Sequence, residues 1–120
     1  MTMTVKTINL PIYDLDIVVV INDWLIANKR FRLGMDEAKL MNATAWSIED
    51  FMDTRDEIYL LFDDKNLDYS IIIHEIFHVV LEICNAKDIV VDFKNQEPVT
   101  YLAGYIGEEV FKIIDKHKKL

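Results

Sequence analysis

The residues best suited to chemistry lie together in the segment His74-Glu75-Ile76-Phe77-His78. In a helix, side chains four positions apart project from the same side one turn apart, so both imidazoles can bind one metal ion. Zn²⁺ in proteins is usually four-coordinate, and this pair would supply two of its ligands. Glu75 is placed to handle protons for an attacking water. The spacing therefore predicts a zinc-dependent hydrolytic centre, with a third ligand from elsewhere in the chain.

The polar residues of the predicted motif helix form a single stripe. His74, Glu75, His78, Glu82 and Asn85 occupy about a third of a helical wheel, and apolar residues occupy the rest. We therefore expect the core to surround most of this helix. The alternative is that the stripe is the ordinary polar face of an amphipathic helix and that the motif is accidental. Two of the three histidines fall in this one turn, which favours a metal.

The His-Glu-x-x-His segment resembles the active-site helix of the zincin superfamily of metallopeptidases. The order of elements over residues 59–112, a strand, the motif helix and a helix that begins with Glu97-Pro98, also resembles small zincin-like proteins encoded by phages and prophages. In the gluzincin branch a glutamate from a downstream helix completes the metal site. The resemblance implies that Glu97, 19 positions after His78 (97 − 78), is the third ligand.

The resemblance also implies a mechanism and a substrate. Glu75 would be the general base. The tetrahedral intermediate also needs a hydrogen-bond donor, and Tyr101 or Tyr105 is the candidate nearby in the sequence. The substrate would be a peptide or protein that lies extended along an edge strand, for which residues 57–62 are the counterpart. Other acidic residues remain open as the third ligand: Glu108, Glu109, Asp92 and, less directly, Glu82.

Three classes of function follow from these patterns. The first is a gluzincin-type zinc metallopeptidase, a hydrolase with Zn²⁺ as its cofactor. The second is a metal-binding phage or prophage accessory protein that has a zincin-like fold but no catalytic activity. The third is a metal-free interaction domain in which the motif is accidental. Cleavage activity distinguishes the first two classes, and metal content distinguishes the third.

Composition limits the environment and the partners. The 120 residues predict one domain, 1–120, and the formal charge of −8 argues against nucleic acid as a partner. Cys84 is the only cysteine, so a reducing, cytoplasmic compartment is expected, with Cys84 as a small buried hydrophobe. The sequence predicts neither a signal peptide nor a membrane span. The basic residues near the end of the last helix, from Lys112 to Lys119, are expected to complement the helix dipole.

The pattern of apolar residues predicts an α+β fold, in which a small mixed or antiparallel sheet packs on the motif helix and a C-terminal helix. The predicted strands are 5–10, 17–21 and 57–62, and the predicted helices are 67–85, capped by Asn66 or Asp68, and 97–116. A further helix is expected through residues 24–31, with a single helix over 16–32 as its competitor. Short helical pieces are expected over 35–53, and a short extended piece over 89–91.

Overall fold

The structure is a computed structural model that describes residues 3–22, 43–47, 57–64 and 67–120. For residues 22 and 43–47 it describes the backbone alone. Four strands and two long helices follow one another in the order β1 Thr4–Leu10, β2 Leu15–Asn22, β3 Ala43–Ser47, β4 Glu57–Asp63, α1 Tyr69–Ala86 and α2 Glu97–Lys118. This is the predicted α+β class.

The strands form one mixed sheet in the order β1-β2-β4-β3. β1 and β2 are antiparallel and are joined by a single 3-10 turn at Pro11–Tyr13. Asp14 closes this turn with a positive φ of 50°, which aspartate tolerates better than most side chains. β4 pairs with β2 in parallel and with β3 in antiparallel fashion. β4 is therefore an interior strand, and the two edges among the described strands are β1 and β3.

The two central strands are buried on both faces. Ile17, Val19 and Ile21 of β2 belong to the core beneath the helices, and Val18 and Val20, which point to the opposite face, are also buried. β4 repeats this arrangement over residues 58–62. Strands with two buried faces have continuous apolar sequences rather than alternating ones, which explains the β-branched run of β2.

Both helices pack on the same face of the sheet. α1 contacts β3 and β4, whereas α2 contacts β1 and β2, and the helices also contact each other. Tyr69 at the start of α1 contacts Phe111 in the second half of α2, with ring centroids 5.7 Å apart and ring planes tilted by 49°. α1 has the length and composition of a membrane-spanning helix, a property that it shares with core helices. Here seven of its 18 residues are buried in the core.

Most of the predicted elements are confirmed. The three predicted strands correspond to β1, β2 and β4, and the two predicted helices correspond to α1 and α2 within two residues at each end. The helix over 16–32 is wrong for residues 16–22, because these pair on both sides in the sheet. Helical structure over 35–53 is wrong for Ala43–Ser47, since this segment pairs with β4. The rest of both segments, like the helix predicted through 24–31, lies outside the described residues.

One smaller expectation is also corrected. Residues 57–62 are not an edge strand, because β4 lies between β2 and β3. Residues 89–91 lie in the loop between the helices, outside the strands of the described sheet, and Val90 and Val91 are exposed there. The correction does not change the elements that carry the motif.

Candidate metal centre

The start of α1 and its core-facing residues determine where the two histidines point. The Asp68 side chain accepts a hydrogen bond from the backbone N–H of Ile71 at 3.1 Å and caps the helix. Ile76 is buried against the sheet, and two residues in either direction rotate about 160° away from it. His74 and His78 therefore lie on the outward face of α1, and the His74 side chain is 67 % exposed.

The two imidazoles converge on one point. Their Nε2 atoms are 3.1 Å apart, with ring centroids at 4.8 Å and ring planes at 72°. Two nitrogen ligands of a tetrahedral Zn²⁺, each about 2.0 Å from the ion, are separated by about 3.3 Å. At 3.1 Å one ring can also donate a hydrogen bond to the other, provided that the acceptor nitrogen is unprotonated. The pair thus presents the nitrogen separation that a shared zinc ion requires.

Glu75 differs from its two neighbours because it is buried, with 7 % of its surface exposed. Its Oε2 atom lies 3.7 Å from the Nε2 of His74. Ligand atoms of His74, Glu75 and His78 all lie within 4.8 Å of one another. A carboxylate at this distance can serve a water beside the histidines as a proton acceptor.

The described part of the chain does not bring Glu97 into this group. Among the described residues, the cluster of His, Cys, Asp and Glu that could hold an ion consists of His74, Glu75 and His78. Glu97 is exposed at the first position of α2, and its role as a ligand stays a prediction.

The two tyrosines lie one turn apart on α2, and both are exposed, Tyr101 at 74 % and Tyr105 at 38 %. Their role as hydrogen-bond donors to an intermediate also stays a prediction.

The other acidic candidates have surroundings of their own. Glu108 pairs with Lys112 at 3.5 Å, and Asp92 accepts a hydrogen bond from the backbone of Lys94 at 3.0 Å. Glu109 faces a cleft between α2 and β1. Glu82 is exposed on α1, one turn beyond His78. None of the four belongs to the histidine group in the part of the chain that the structure describes.

An apolar strip lies beside the histidines, contrary to the expectation that the core surrounds most of α1. Ile73, Phe77 and Leu81 are 46 %, 46 % and 45 % exposed. They are spaced by four residues and therefore form a continuous strip along the helix. The reason for the difference is that α1 packs on one sheet face and one helix, which leaves its outer side uncovered by the described elements.

Comparisons with models of protein families, with characterised proteins and with solved structures find no match to this chain. The resemblance to zincins therefore remains a prediction that rests on the motif and its geometry.

The sequence analysis did not predict the buried polar cluster around His117. His117 is buried near the end of α2, where it bonds to Thr4 and Asp64. A signal for it was present, because His117 continues the spacing of the buried residues Ile106, Val110 and Ile114. A histidine that shares the apolar face of a helix is expected to be buried rather than to serve only the helix dipole.

Proposed function

We propose that this protein is a zinc-dependent hydrolase of the metallopeptidase type, in which His74 and His78 bind Zn²⁺ and Glu75 is the general base. The observation that carries the proposal is the 3.1 Å separation of the two Nε2 atoms, with the Glu75 carboxylate 3.7 Å from one of them. A hydrolytic zinc site needs two or more side chains that bind the same ion and a general base next to them, and this combination provides two such ligands and the base.

The chemistry divides between the ion and the chain. When bound, Zn²⁺ would act as a Lewis acid that polarises the substrate carbonyl and increases the acidity of water. Glu75 would take a proton from the attacking water and later deliver it to the leaving amine. Its burial suits this role, because a carboxylate held by the surrounding core keeps one orientation while the histidines remain accessible. His74 and His78 would hold the reacting groups next to that carboxylate.

The substrate in this proposal is a peptide or protein. Ile73, Phe77 and Leu81 form an exposed apolar surface directly beside the histidines, where the side chains of a bound peptide could pack. β3 is the edge strand on the side of the sheet that α1 covers. It is therefore the described strand to which an extended peptide could add by backbone hydrogen bonds.

The identity of the third zinc ligand is a separate part of the proposal. We assign it to Glu97, on the basis of the resemblance to gluzincins. Tyr101 or Tyr105 is the proposed donor to the intermediate, because both lie nearby in the sequence. Glu97 is outside the cluster of His74, Glu75 and His78 in the described residues, so its role requires a closer approach of α2 to the histidines. The Glu97→Ala variant tests this step alone: a weaker affinity for zinc supports it, and an unchanged affinity transfers the role to another group.

A second candidate function is a metal-binding interaction protein without catalysis, such as a phage or prophage accessory protein. The exposure of the His74 side chain favours it, because an open, two-histidine site can also receive a ligand from a partner. The same ion would then join two proteins instead of activating water. Cleavage of a peptide distinguishes the two candidates.

The deciding experiment combines zinc content with peptide cleavage. Protein purified without chelator or metal-affinity steps should bind about one zinc per chain, and His74→Ala with His78→Ala should abolish this binding. Glu75→Gln should keep the zinc and reduce cleavage of a peptide library by about 10²- to 10⁴-fold. Asp115→Asn, which removes an exposed carboxylate that is not among the candidate ligands, is the control and should change neither property.

Three outcomes would contradict parts of the proposal. Zinc content that is unaffected by the loss of both histidines would exclude the site. Cleavage that persists in Glu75→Gln would exclude Glu75 as the base. Zinc binding without any cleavage by the parent protein would leave the second candidate as the function.

A further inference from the structure

A second cluster of charged groups lies away from the histidine motif, in a cleft of about 400 Å³ between α2 and the start of β1. Thr4 and Lys6 line it from β1, and Glu109, Lys112, Lys116 and His117 line it from α2. No residue of α1 takes part among the described lining residues, so this cleft is separate from the proposed zinc centre.

His117 forms the floor of the cleft and holds it in place. Its Nε2 lies 2.5 Å from Oδ1 of Asp64, and its Nδ1 lies 2.6 Å from Oγ1 of Thr4. A carboxylate only accepts hydrogen bonds, so Nε2 carries a proton that it donates to Asp64. In the neutral ring Nδ1 is then the acceptor, and the Thr4 hydroxyl donates to it. Both ring nitrogens therefore have hydrogen-bond partners, and these two bonds connect α2 to β1 and to the end of β4.

The side chains that line the cleft are mainly basic, although the protein is acidic. Three lysines and one glutamate give 3 − 1 = +2 for these side chains, whereas the whole chain carries −8. Two carboxylates border the lining, since Glu108 pairs with Lys112 and Asp64 accepts a hydrogen bond from His117. Lys112 and Lys116 are one turn apart on α2, and Lys6 comes from β1. The dipole of α2 accounts for a lysine in its last turn but not for Lys6, which belongs to another element.

We propose that this cleft binds a small phosphomonoester, with Lys6, Lys112 and Lys116 around the phosphate. Lysine is a compact charge that suits phosphate oxygens, and three lysines match a dianion better than a monoanion. Ile113 and Leu120 line the remainder and provide an apolar surface for the organic group of the ligand. The volume lies within the range of small-molecule sites.

Phenyl phosphate is the probe for this site, and benzoate is the matched ligand with one negative charge. Isothermal titration calorimetry should give binding of phenyl phosphate that is about tenfold or more tighter than that of benzoate. Lys6→Gln and Lys116→Gln should each weaken it by about tenfold. Lys112→Gln should have a smaller effect, because Lys112 already pairs with Glu108 at 3.5 Å.

A substitution of the acidic residue in the cleft should change the affinity for phenyl phosphate in the opposite direction. Glu109→Gln removes the only acidic side chain in the described lining, so it should tighten the binding of phenyl phosphate by about threefold. Lys94→Gln, which removes an exposed lysine from the loop between the helices, is the control and should have no effect. These substitutions are at the surface, and circular dichroism verifies that each variant is folded.

Two outcomes would overturn the proposal. The first is the absence of binding at about 10 mM phenyl phosphate. The second is equal weakening by Lys94→Gln and Lys116→Gln, which would mean that the ligand responds to overall charge and not to this cleft. Neither outcome bears on the zinc centre, because none of the four lysines lies on α1.

Discussion

His74, Glu75 and His78 lie within five consecutive residues, yet they have different environments. A step of one residue rotates a side chain by about 100°, which moves Glu75 from the outward face towards the core. The result is a buried carboxylate, 7 % exposed, beside an accessible imidazole. This division suits a base that must keep one orientation next to ligands that an ion can reach. The sequence motif predicts which side chains are present, and the rotation of α1 about its axis relative to the sheet determines which of these side chains face solvent.

Cys84 illustrates how burial alone changes the chemistry of a side chain. It is 1 % exposed, as the sequence predicted, and burial raises the pKa of its thiol above the ordinary 9.0. The folded protein therefore retains the thiol proton at a pH at which the unfolded chain has lost it. The free energy of unfolding should fall as pH rises above about 9, by at most about 1.4 kcal/mol per pH unit from this group.

Denaturant unfolding of the parent and of Cys84→Ala between pH 7 and 11 measures this contribution. In the variant, the free energy of unfolding should fall less steeply with pH, because the contribution of the thiol is missing. Tyrosines and lysines contribute equally to both proteins. A constant difference between the two proteins across this pH range would refute the effect. The same burial predicts slow reaction with thiol reagents in the native protein and fast reaction in denaturant.

The position of α1 depends on how its first turn is capped. The Asp68 carboxylate accepts hydrogen bonds from the backbone N–H of Ile71 at 3.1 Å and from the Ser70 hydroxyl at 3.2 Å. Asp68→Ala should lower the free energy of unfolding by about 1 kcal/mol, because an N–H at the helix start loses its partner. Chemical denaturation measures this loss.

Two variants separate the cap from the hydroxyl contact. Asp68→Asn should be nearly as stable as the parent, since asparagine caps equally well. Ser70→Ala should change stability by less than about 0.5 kcal/mol. If Ser70→Ala were as destabilising as Asp68→Ala, the cap would not be the source of the effect.

The elements differ in how far local sequence predicts them. α1 and α2 begin at a capping aspartate and at Glu97-Pro98, and these local signals place the start of each helix within two residues. β3, with the sequence Ala-Thr-Ala-Trp-Ser, has no such signal, because its strand structure comes from pairing with β4. Pairing partners are distant in sequence, so the interior position of β4 was also missed. The same limit applies to the third metal ligand, which depends on how α1 and α2 are aligned.

The packing of both helices on one sheet face separates two chemically different surfaces. α1 carries the histidines on its outer side, and α2 with β1 forms the basic cleft around Lys6 and Lys116. The lining of the basic cleft contains no residue of α1 among the described residues. The proposed zinc site and the proposed phosphate site can consequently be altered one at a time.

The contact between Thr4 and His117 joins residues that are 113 positions apart. Asp64, bonded to the other ring nitrogen, is 42 % exposed, so water can replace His117 at its carboxylate. The His117 ring is 5 % exposed, and water cannot easily replace Thr4. Thr4→Val should therefore leave Nδ1 without a partner and lower the free energy of unfolding by about 1–3 kcal/mol.

A double-mutant cycle with His117→Leu separates this bond from other effects of the valine. In the His117→Leu background, Thr4→Val should cost less than about 0.5 kcal/mol, because the polar partner is already gone. Thr7→Val, at an exposed position of the same strand, controls for the preference of valine for β structure and should change stability little. An equal cost of Thr4→Val in both backgrounds would mean that the hydroxyl acts independently of His117. The expected result would establish that the hydrogen bond between Thr4 and the buried His117 imidazole stabilises the packing of β1 against α2. Because the two residues are distant in sequence, this contribution to the free energy of unfolding comes from tertiary structure alone.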